Sequence, residues 1–453
     1  MLSRCGAWSM TSLGLALAVL GASGCAFQQT PQYETLRRDW ERADLPAERR
    51  APDAYPLEHV AVLERAPLVQ LVLERNPSIR AARFAWRAAL ERYPQVTALD
   101  DPMFGIGIAP RSIGSRNVDD APKFDLSQKL PFPGKLRLRG QAATAEAEAA
   151  SHDFASVRLR LATMTSLLFD DHYLAERALE INAEHVALLE EFKRIATVRY
   201  ESGAGSQQDP IQAEVELTHA LHRNLVLQTA QRVTAEQINS LLHRPATRRL
   251  PPPPPRTRAA RGTAGPEKPP TQQALEDKPE VAAAAARVAA EEARVDLAWR
   301  EYFPDFTLVG SYNRVWQEHD LQPFVGLQFN VPLRLGRRKA ALEEARAHLE
   351  RARSEHTAIE DEVRFGVESG HDRLVEAHHV LRLFGDRLLP AARDQIAAAR
   401  SGFETGRNSF LALIDAERNL RNVELGYEEA LADLSRRRAE LDQTVGRIPG
   451  LTW

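Results

Sequence analysis

The chain has 453 residues, with 59 lysines and arginines against 62 aspartates and glutamates, a formal net charge of −3. Basic residues are interspersed among acidic ones, which excludes an electrostatic footprint for nucleic acid. Two cysteines, Cys5 and Cys25, exclude a disulfide framework or a cysteine-built zinc site in a mature protein. Aromatics at 7% and abundant alanine favour long, closely packed helices.

In chain order, residues 1–24 read as an export signal. Arg4 supplies the positive start, and Leu13 to Ala22 is an apolar run too short to span a bilayer as a helix. Ala22-Ser23-Gly24-Cys25 resembles a bacterial lipoprotein cleavage box, which implies lipidation of Cys25 and a lipidated N-terminal segment over 25–64. Ala26 after the cysteine favours the outer membrane in that reading; the alternative is an ordinary signal peptide with an incidental cysteine.

Residues 65–244 form a first repeat. An alanine-rich helix over 78–93 leads to strands at about 101–109 and 122–130. There Phe104, Ile106 and Ile108 alternate with glycines, and Phe124, Leu126 and Leu130 alternate with Asp125, Ser127 and Lys129. From Gly134 to Tyr200 no cluster of helix-stopping residues occurs, and about 66 residues at 1.5 Å rise make a helix of roughly 100 Å. A turn at about 202–209 leads into a second helix. Pro245 to Pro270, with five prolines at 251–255, lies in an extended connector assigned to 245–272.

Residues 273–446 repeat the plan, with strands at about 305–313 and 324–332, a turn at about 405–412, and 447–453 as a tail. G-x-x-S-x-x-x-x-I-x-A-E begins at Gly203 and again at Gly406. Leu130-Pro131 before Gly134-Lys135 parallels Val331-Pro332 before Gly336-Arg337, and Asn76-Pro77 parallels Lys278-Pro279. The period is too long for a solenoid, so the chain is a half-molecule written twice. Leu413, Leu420, Tyr427, Leu434 and Leu441 keep heptad spacing, the signature of coiled-coil packing. The second long helix, from about Arg337 to Phe403, is interrupted only by Pro390. Four strands cannot close a barrel, so a membrane-spanning sheet requires other copies of the chain, two or three by geometry alone.

The ordered set NPSIRAARFAW, DDPMFGIGIAP, FDLSQKLPFPGKLRLRG, YESGAGSQQDPIQAEVEL, YFPDFTLVGSYN, FVGLQFNVPLRLGRRKA and FETGRNSFLALIDAERNL resembles the TolC-like outer-membrane efflux family from about residue 65 to 446. The resemblance implies a mostly α fold with a small β part, in which each repeat runs helix, β-hairpin, long helix, helix. It further implies a homotrimer with a twelve-stranded barrel in the outer membrane and a periplasmic coiled-coil tunnel. The implied role is passive exit for substrates delivered by an inner-membrane transporter of the RND type through a periplasmic adaptor, with no cofactor. The LPFPGK run leans towards the heavy-metal branch. A type I protein secretion channel and a non-conducting periplasmic scaffold are the alternatives.

In that family the repeated G-x-x-S lies at the periplasmic tip where the adaptor docks, which assigns docking to Gly203, Ser206, Gly406 and Ser409. The residues alone equally suit a helix reversal without a partner: glycine for a positive φ, serine to cap the following helix. The family's pore constriction places aspartates shortly after the second glycine. Asp415 matches one position, Ala412 occupies the other, and Asp209 follows Gly203 at the corresponding distance. Three Asp415 carboxylates would favour cations; the alternative is a solvated face or an ion pair with Arg418 or Arg407. No H-E-x-x-H, G-x-S-x-G or phosphate loop occurs, which argues against an enzyme. His371 and His378-His379 lack partners at metal-ligand spacing, so no metal site is assigned.

Overall fold

The computed structural model describes residues 30–43, 57, 60–114, 121–255, 268–316 and 318–449. The signal segment and Cys25 lie outside them. Two compact units emerge, one from residues 1–44, 84–151 and 283–356, the other from 45–83, 152–282 and 357–453.

The elements follow the duplicated plan. In the first half they are α1 (Pro31–Arg42), α2 (Arg65–Arg75), α3 (Pro77–Leu90), α4 (Arg92–Thr97), β1 (Met103–Ile108), β2 (Pro122–Leu130), α5 (Lys135–Glu201) and α6 (Gln208–Leu241). In the second they are α7 (Thr271–Asp277), α8 (Pro279–Arg300), β3 (Phe306–Asn313), β4 (Pro323–Phe329), α9 (Leu335–Leu383), α10 (Leu389–Glu404) and α11 (Phe410–Thr444). The first alanine-rich segment is split between α3 and α4 rather than one helix over 78–93.

The first unit holds one antiparallel sheet in the order β1-β2-β3-β4, with β2 and β3 joining the two halves. Pairing puts Phe104 opposite Leu126, Ile106 opposite Phe124, Phe124 opposite Tyr312, Leu308 opposite Leu327 and Phe306 opposite Phe329. Residues directly opposite share a face, so these apolar side chains cover one side of all four strands. Phe104, Ile106, Val325 and Leu327 there are exposed. Lys123 and Asp125 lie on the other side and form an ion pair at 3.0 Å. Among the described residues, β1 and β4 are each paired along one edge only.

β4 ends at Phe329, earlier than the alternation through Val331 suggests. Asn330 N–H still donates to the Asp305 carbonyl at 3.3 Å, but the Asp305 N–H goes to the Asn330 side-chain oxygen at 2.6 Å in place of a main-chain carbonyl. Pro332 has no N–H to continue pairing. Beside the sheet, Lys135 is 1% exposed. Its ammonium donates to Asp305 Oδ1 at 2.9 Å, Glu301 Oε2 at 3.1 Å and the Phe303 carbonyl at 3.3 Å, using all three donors. α1 had no sequence-based expectation. Thr30 caps it, and Tyr33 stacks on Tyr93 with ring centroids 4.2 Å apart.

The second unit is helical. Leu189, Phe192 and Ala196 of α5 pack with Ala213 and Ala220 of α6, Ala399 and Phe403 of α10, and Phe410, Leu413 and Ile414 of α11. The connector is seated on this unit: Asn239 Nδ2 donates to the Ala246 and Arg248 carbonyls at 2.6 and 2.7 Å, and Leu250 joins a buried cluster.

Between α9 and α10 lies a π turn, Phe384–Leu388. Lys135 and Gly203 are 68 positions apart, whereas their counterparts Arg337 and Gly406 are 69 apart. A π turn accommodates one extra residue without breaking the helix, and it lies just ahead of Pro390, which cannot donate to an earlier carbonyl. Small residues let it approach α11: a Cβ on Gly426 would come within 2.5 Å of the Phe384 ring.

Candidate functional site at the paired helix reversals

Each half turns back through the same local device. At the end of α5, Gly203 takes φ +73°, its N–H donating to the Tyr200 carbonyl at 3.0 Å and Ala204 N–H to the Arg199 carbonyl at 2.8 Å. At the end of α10, Gly406 takes φ +74°, its N–H donating to Phe403 O at 3.1 Å and Arg407 N–H to Gly402 O at 2.8 Å. This paired closure satisfies carbonyls that the last helical turn leaves free and requires one left-handed residue. A Cβ on Gly203 would meet nothing within 4 Å; the backbone angle, not space, selects glycine.

The serines act differently from one another. Ser409 is the N-cap of α11, its Oγ accepting from Ala412 N–H at 3.3 Å. Ser206 does not cap α6 in this way. It stands one residue before the cap position, Gln207, and its Oγ accepts from Gln208 N–H at 3.2 Å while its carbonyl accepts from Asp209 N–H at 3.2 Å. The difference arises because α6 begins two residues beyond Ser206, while α11 begins immediately after Ser409.

Arg199 joins the two reversals and had no sequence-based assignment. Its Nη1 donates to the carbonyls of Phe403 at 2.7 Å and Glu404 at 3.1 Å, and its Nη2 to Ala204 O at 3.2 Å. The charge thus sits on the C-terminal carbonyls of α10, where the helix dipole favours a cation. Its counterpart 203 positions later is Gly402, so the duplication carries no signal for it.

Asp415 is exposed on α11, with Arg418 Nη1 3.5 Å away. Arg418 is held more closely by Glu216 of α6, through Nε at 3.2 Å and a second contact from Nη2. Hydrogen bonds from Arg418 hold the largely buried Glu216 carboxyl below its usual range, against the opposing effect of burial. Asp209 lies in the first turn of α6, where a carboxylate complements the helix dipole. Among the described residues, no group of three or more histidine, cysteine, aspartate or glutamate side chains is placed to hold a metal ion. No helix among them is long and apolar enough to cross a membrane.

Comparison with known proteins places this architecture. The solved outer-membrane channel OprN matches with a TM-score of 0.72 at 20% identity, over 88% of this chain and 97% of that one. VceC from Vibrio cholerae matches at 0.71 and 16% identity, over 84% and 96%. CusC matches at 0.69 and 15%, over 88% and 96%. At these identities the likeness carries the fold, which is TolC-like. In sequence, the cobalt-zinc-cadmium resistance protein CzcC of Cupriavidus metallidurans is 23% identical over 318 residues, 70% of this chain and 75% of that protein. The profile described as outer membrane efflux protein matches twice, over residues 68–242 and 271–447, one match to each half, so the chain belongs to the outer membrane efflux protein family.

Proposed function

We propose that the chain is one subunit of a homotrimeric outer-membrane channel, the exit duct of a tripartite efflux system for heavy-metal cations. The observation that carries the channel reading is the sheet, one face of which is apolar across four strands, interrupted by Gln128. The other face carries Lys123, Asp125, Ser127, Lys129, Thr307, Ser311 and Gln328 beside Met103, Val309 and Phe324. Among the described residues β1 and β4 have open edges. Open edges are not tolerated in lipid, and alternation of this kind is what a barrel wall presents to lipid and lumen. Three copies supply twelve strands. The likeness to a cobalt-zinc-cadmium resistance protein supports the substrate class.

In this reading Cys25 carries the lipid anchor and the helical part extends into the periplasm. The reversals at Gly203, Ser206, Gly406 and Ser409 receive the periplasmic adaptor, which connects the duct to an RND-type transporter. Asp415 contributes to a ring of three carboxylates in the lumen, with Asp209 as a second acidic position. The test is a deletion strain assayed against cobalt, zinc and cadmium salts and against lipophilic drugs. Metal hypersensitivity restored by the full chain is the expected result. Unchanged metal tolerance with drug sensitivity overturns the substrate class, and recovery of a soluble monomer overturns the channel.

A further inference from the structure

His185 of α5 is 3% exposed, and both of its ring nitrogens face carboxylates of α11. Nδ1 is 2.9 Å from Glu417 Oε1 and Nε2 is 3.0 Å from Glu424 Oε2. A neutral imidazole has one N–H and ionised carboxylates only accept, so both contacts are satisfied together by the imidazolium. Burial alone pushes the proton off; the hydrogen bonds and charges of Glu417 and Glu424 outweigh it and raise the pKa above its ordinary 6.5.

The surroundings are ionic on every side. Glu417 is fully buried, and among the described residues its Oε2 has no hydrogen-bond partner. Arg421 lies 3.8 Å from Glu417 Oε1, and Arg393 of α10 lies 3.6 Å from Glu424 Oε1. α6 contributes Glu216, which binds Arg418 and on which His219 acts, and Arg223 acting on Arg421. If His185 loses its proton, its one remaining N–H serves only one of the two carboxylates. The other keeps only its longer contact, Glu417 to Arg421 or Glu424 to Arg393, and both lose the adjacent positive charge, which is costly for buried carboxylates.

The other half lacks this arrangement. The position matching Glu417 is Glu214, which pairs with Lys193 at the surface, and the position matching Glu424 is Leu221. The residue matching His185 falls in the π turn 384–388. The helix packing of the repeat therefore does not itself require the histidine.

We propose that His185 is a proton-held pin between α5 and α11: as an imidazolium it clamps the two helices, and loss of its proton loosens them. In the exit duct proposed above, on which this consequence rests, loosening lets the reversals spread. A group with a raised pKa in the folded state contributes fully below its ordinary value and loses that contribution as pH rises through the raised one. Glu424, which burial pushes up but His185 and Arg393 hold below its usual range, withdraws only in acid. The pin is thus intact in mild acid and fails on the alkaline side.

The test uses the full chain with Cys25→Ser, spin-labelled at Glu184→Cys and Asn422→Cys, exposed sites on α5 and α11. Distances between labels are measured from pH 6 to pH 9, alongside channel conductance in planar bilayers. With the native histidine, the distance distribution is expected to broaden and conductance to rise several-fold as pH increases. His185→Gln is expected to be broad throughout, and His185→Lys, which keeps a charge, narrow at pH 9. A distribution unchanged from pH 6 to pH 9 in the chain with His185 overturns the pin, whether or not the variants fold; so does a His185→Gln chain that keeps the same step. Broadening without any change in conductance supports the pin and counts against the duct.

Discussion

The guanidinium of Arg199 stands 4.8 Å from the ring centre of Phe403 while donating to that residue's carbonyl at 2.7 Å. One side chain thereby caps the end of α10, covers an aromatic ring of the buried cluster and holds the Ala204 carbonyl of its own reversal. Arg199→Ala removes these contacts together. Each hydrogen bond from a charged donor is worth about 1.5–3 kcal/mol when well formed, and half-burial of Arg199 reduces this. The expected loss is local: faster amide exchange at Ala204, Gly406 and Arg407, with exchange in β1–β4 unchanged. Equal protection at the reversals in both chains would show that Arg199 only decorates them.

The duplication also reaches the opposite helix ends. α6 closes with His243 at φ +51°, its N–H to Ser240 O and Arg244 N–H to Asn239 O, both 3.1 Å. α11 closes the same way 203 positions later at Gly446, φ +79°. Left-handed backbone costs a residue bearing a Cβ about 1–2 kcal/mol. His243→Gly is therefore expected to stabilise the chain by up to about 1 kcal/mol, after subtracting the greater unfolded-state freedom of glycine. Gly446→Ala is expected to be more harmful than a φ penalty alone, because its Cβ would come within 2.5 Å of the Asp277 carbonyl oxygen. Thermal or urea unfolding of the two variants checks both signs.

These features divide sharply in how legible they are in sequence. The strands were readable because one face of the sheet is apolar along most of its length, so Phe104, Ile106, Val325 and Leu327 mark their own period. The reversals were readable because only glycine takes the required φ cheaply, twice, at matching positions. The slip in repeat offset along the long helices was also present in the sequence, and the π turn at Phe384–Leu388 is its physical form. Arg199 and His185 were not readable, because their partners in the second half lie 204 to 239 positions away and the repeat has no counterpart for either. α1 had a local start signal, Thr30 before Pro31 at the first helical position. What holds it is Tyr33 on Tyr93, a contact no local pattern announces.

Arg65 makes two hydrogen bonds to Asp170, at 2.5 and 3.2 Å, and a third to Ser435 at 2.6 Å. Burial pushes the Asp170 carboxyl up to about 6 despite the opposing charge of Arg65. A folded-state pKa above the unfolded value means that the native state binds the extra proton, so stability falls as pH rises between 3.8 and about 6. Arg65→Met leaves the ionised carboxylate buried without its partner, a change expected to cost about 3–5 kcal/mol near pH 8. The penalty should shrink as pH falls from 8 towards 6, because without Arg65 the carboxyl takes its proton at higher pH, and below about 6 Asp170 is neutral in both chains. Urea unfolding of the variant at pH 8 and pH 5 measures this; a pH-independent deficit would mean that the lost contact of the Arg65 guanidinium with the Phe169 ring, 5.0 Å from its centre, dominates over charge.

Asp415 separates stability from conduction. Its side chain is 59% exposed and its contact to Arg418 is 3.5 Å, while Arg418 is anchored by Glu216. An exposed pair of this kind contributes about 0–1 kcal/mol, so Asp415→Asn is expected to unfold almost as the parent chain does. If Asp415 faces the lumen of the trimeric duct proposed above, the same substitution removes three carboxylates from it, and a ring of fixed negative charge favours cations. The reversal potential across a bilayer with unequal salt on the two sides is expected to shift towards lower cation selectivity. Asp415→Glu, which keeps the charge, is expected to leave it in place. If Asp415→Asn leaves selectivity unaltered, the residue belongs to a solvated helix face. The cation preference would then have to arise from other acidic positions, among which Asp209, in the first turn of α6, is the next to substitute.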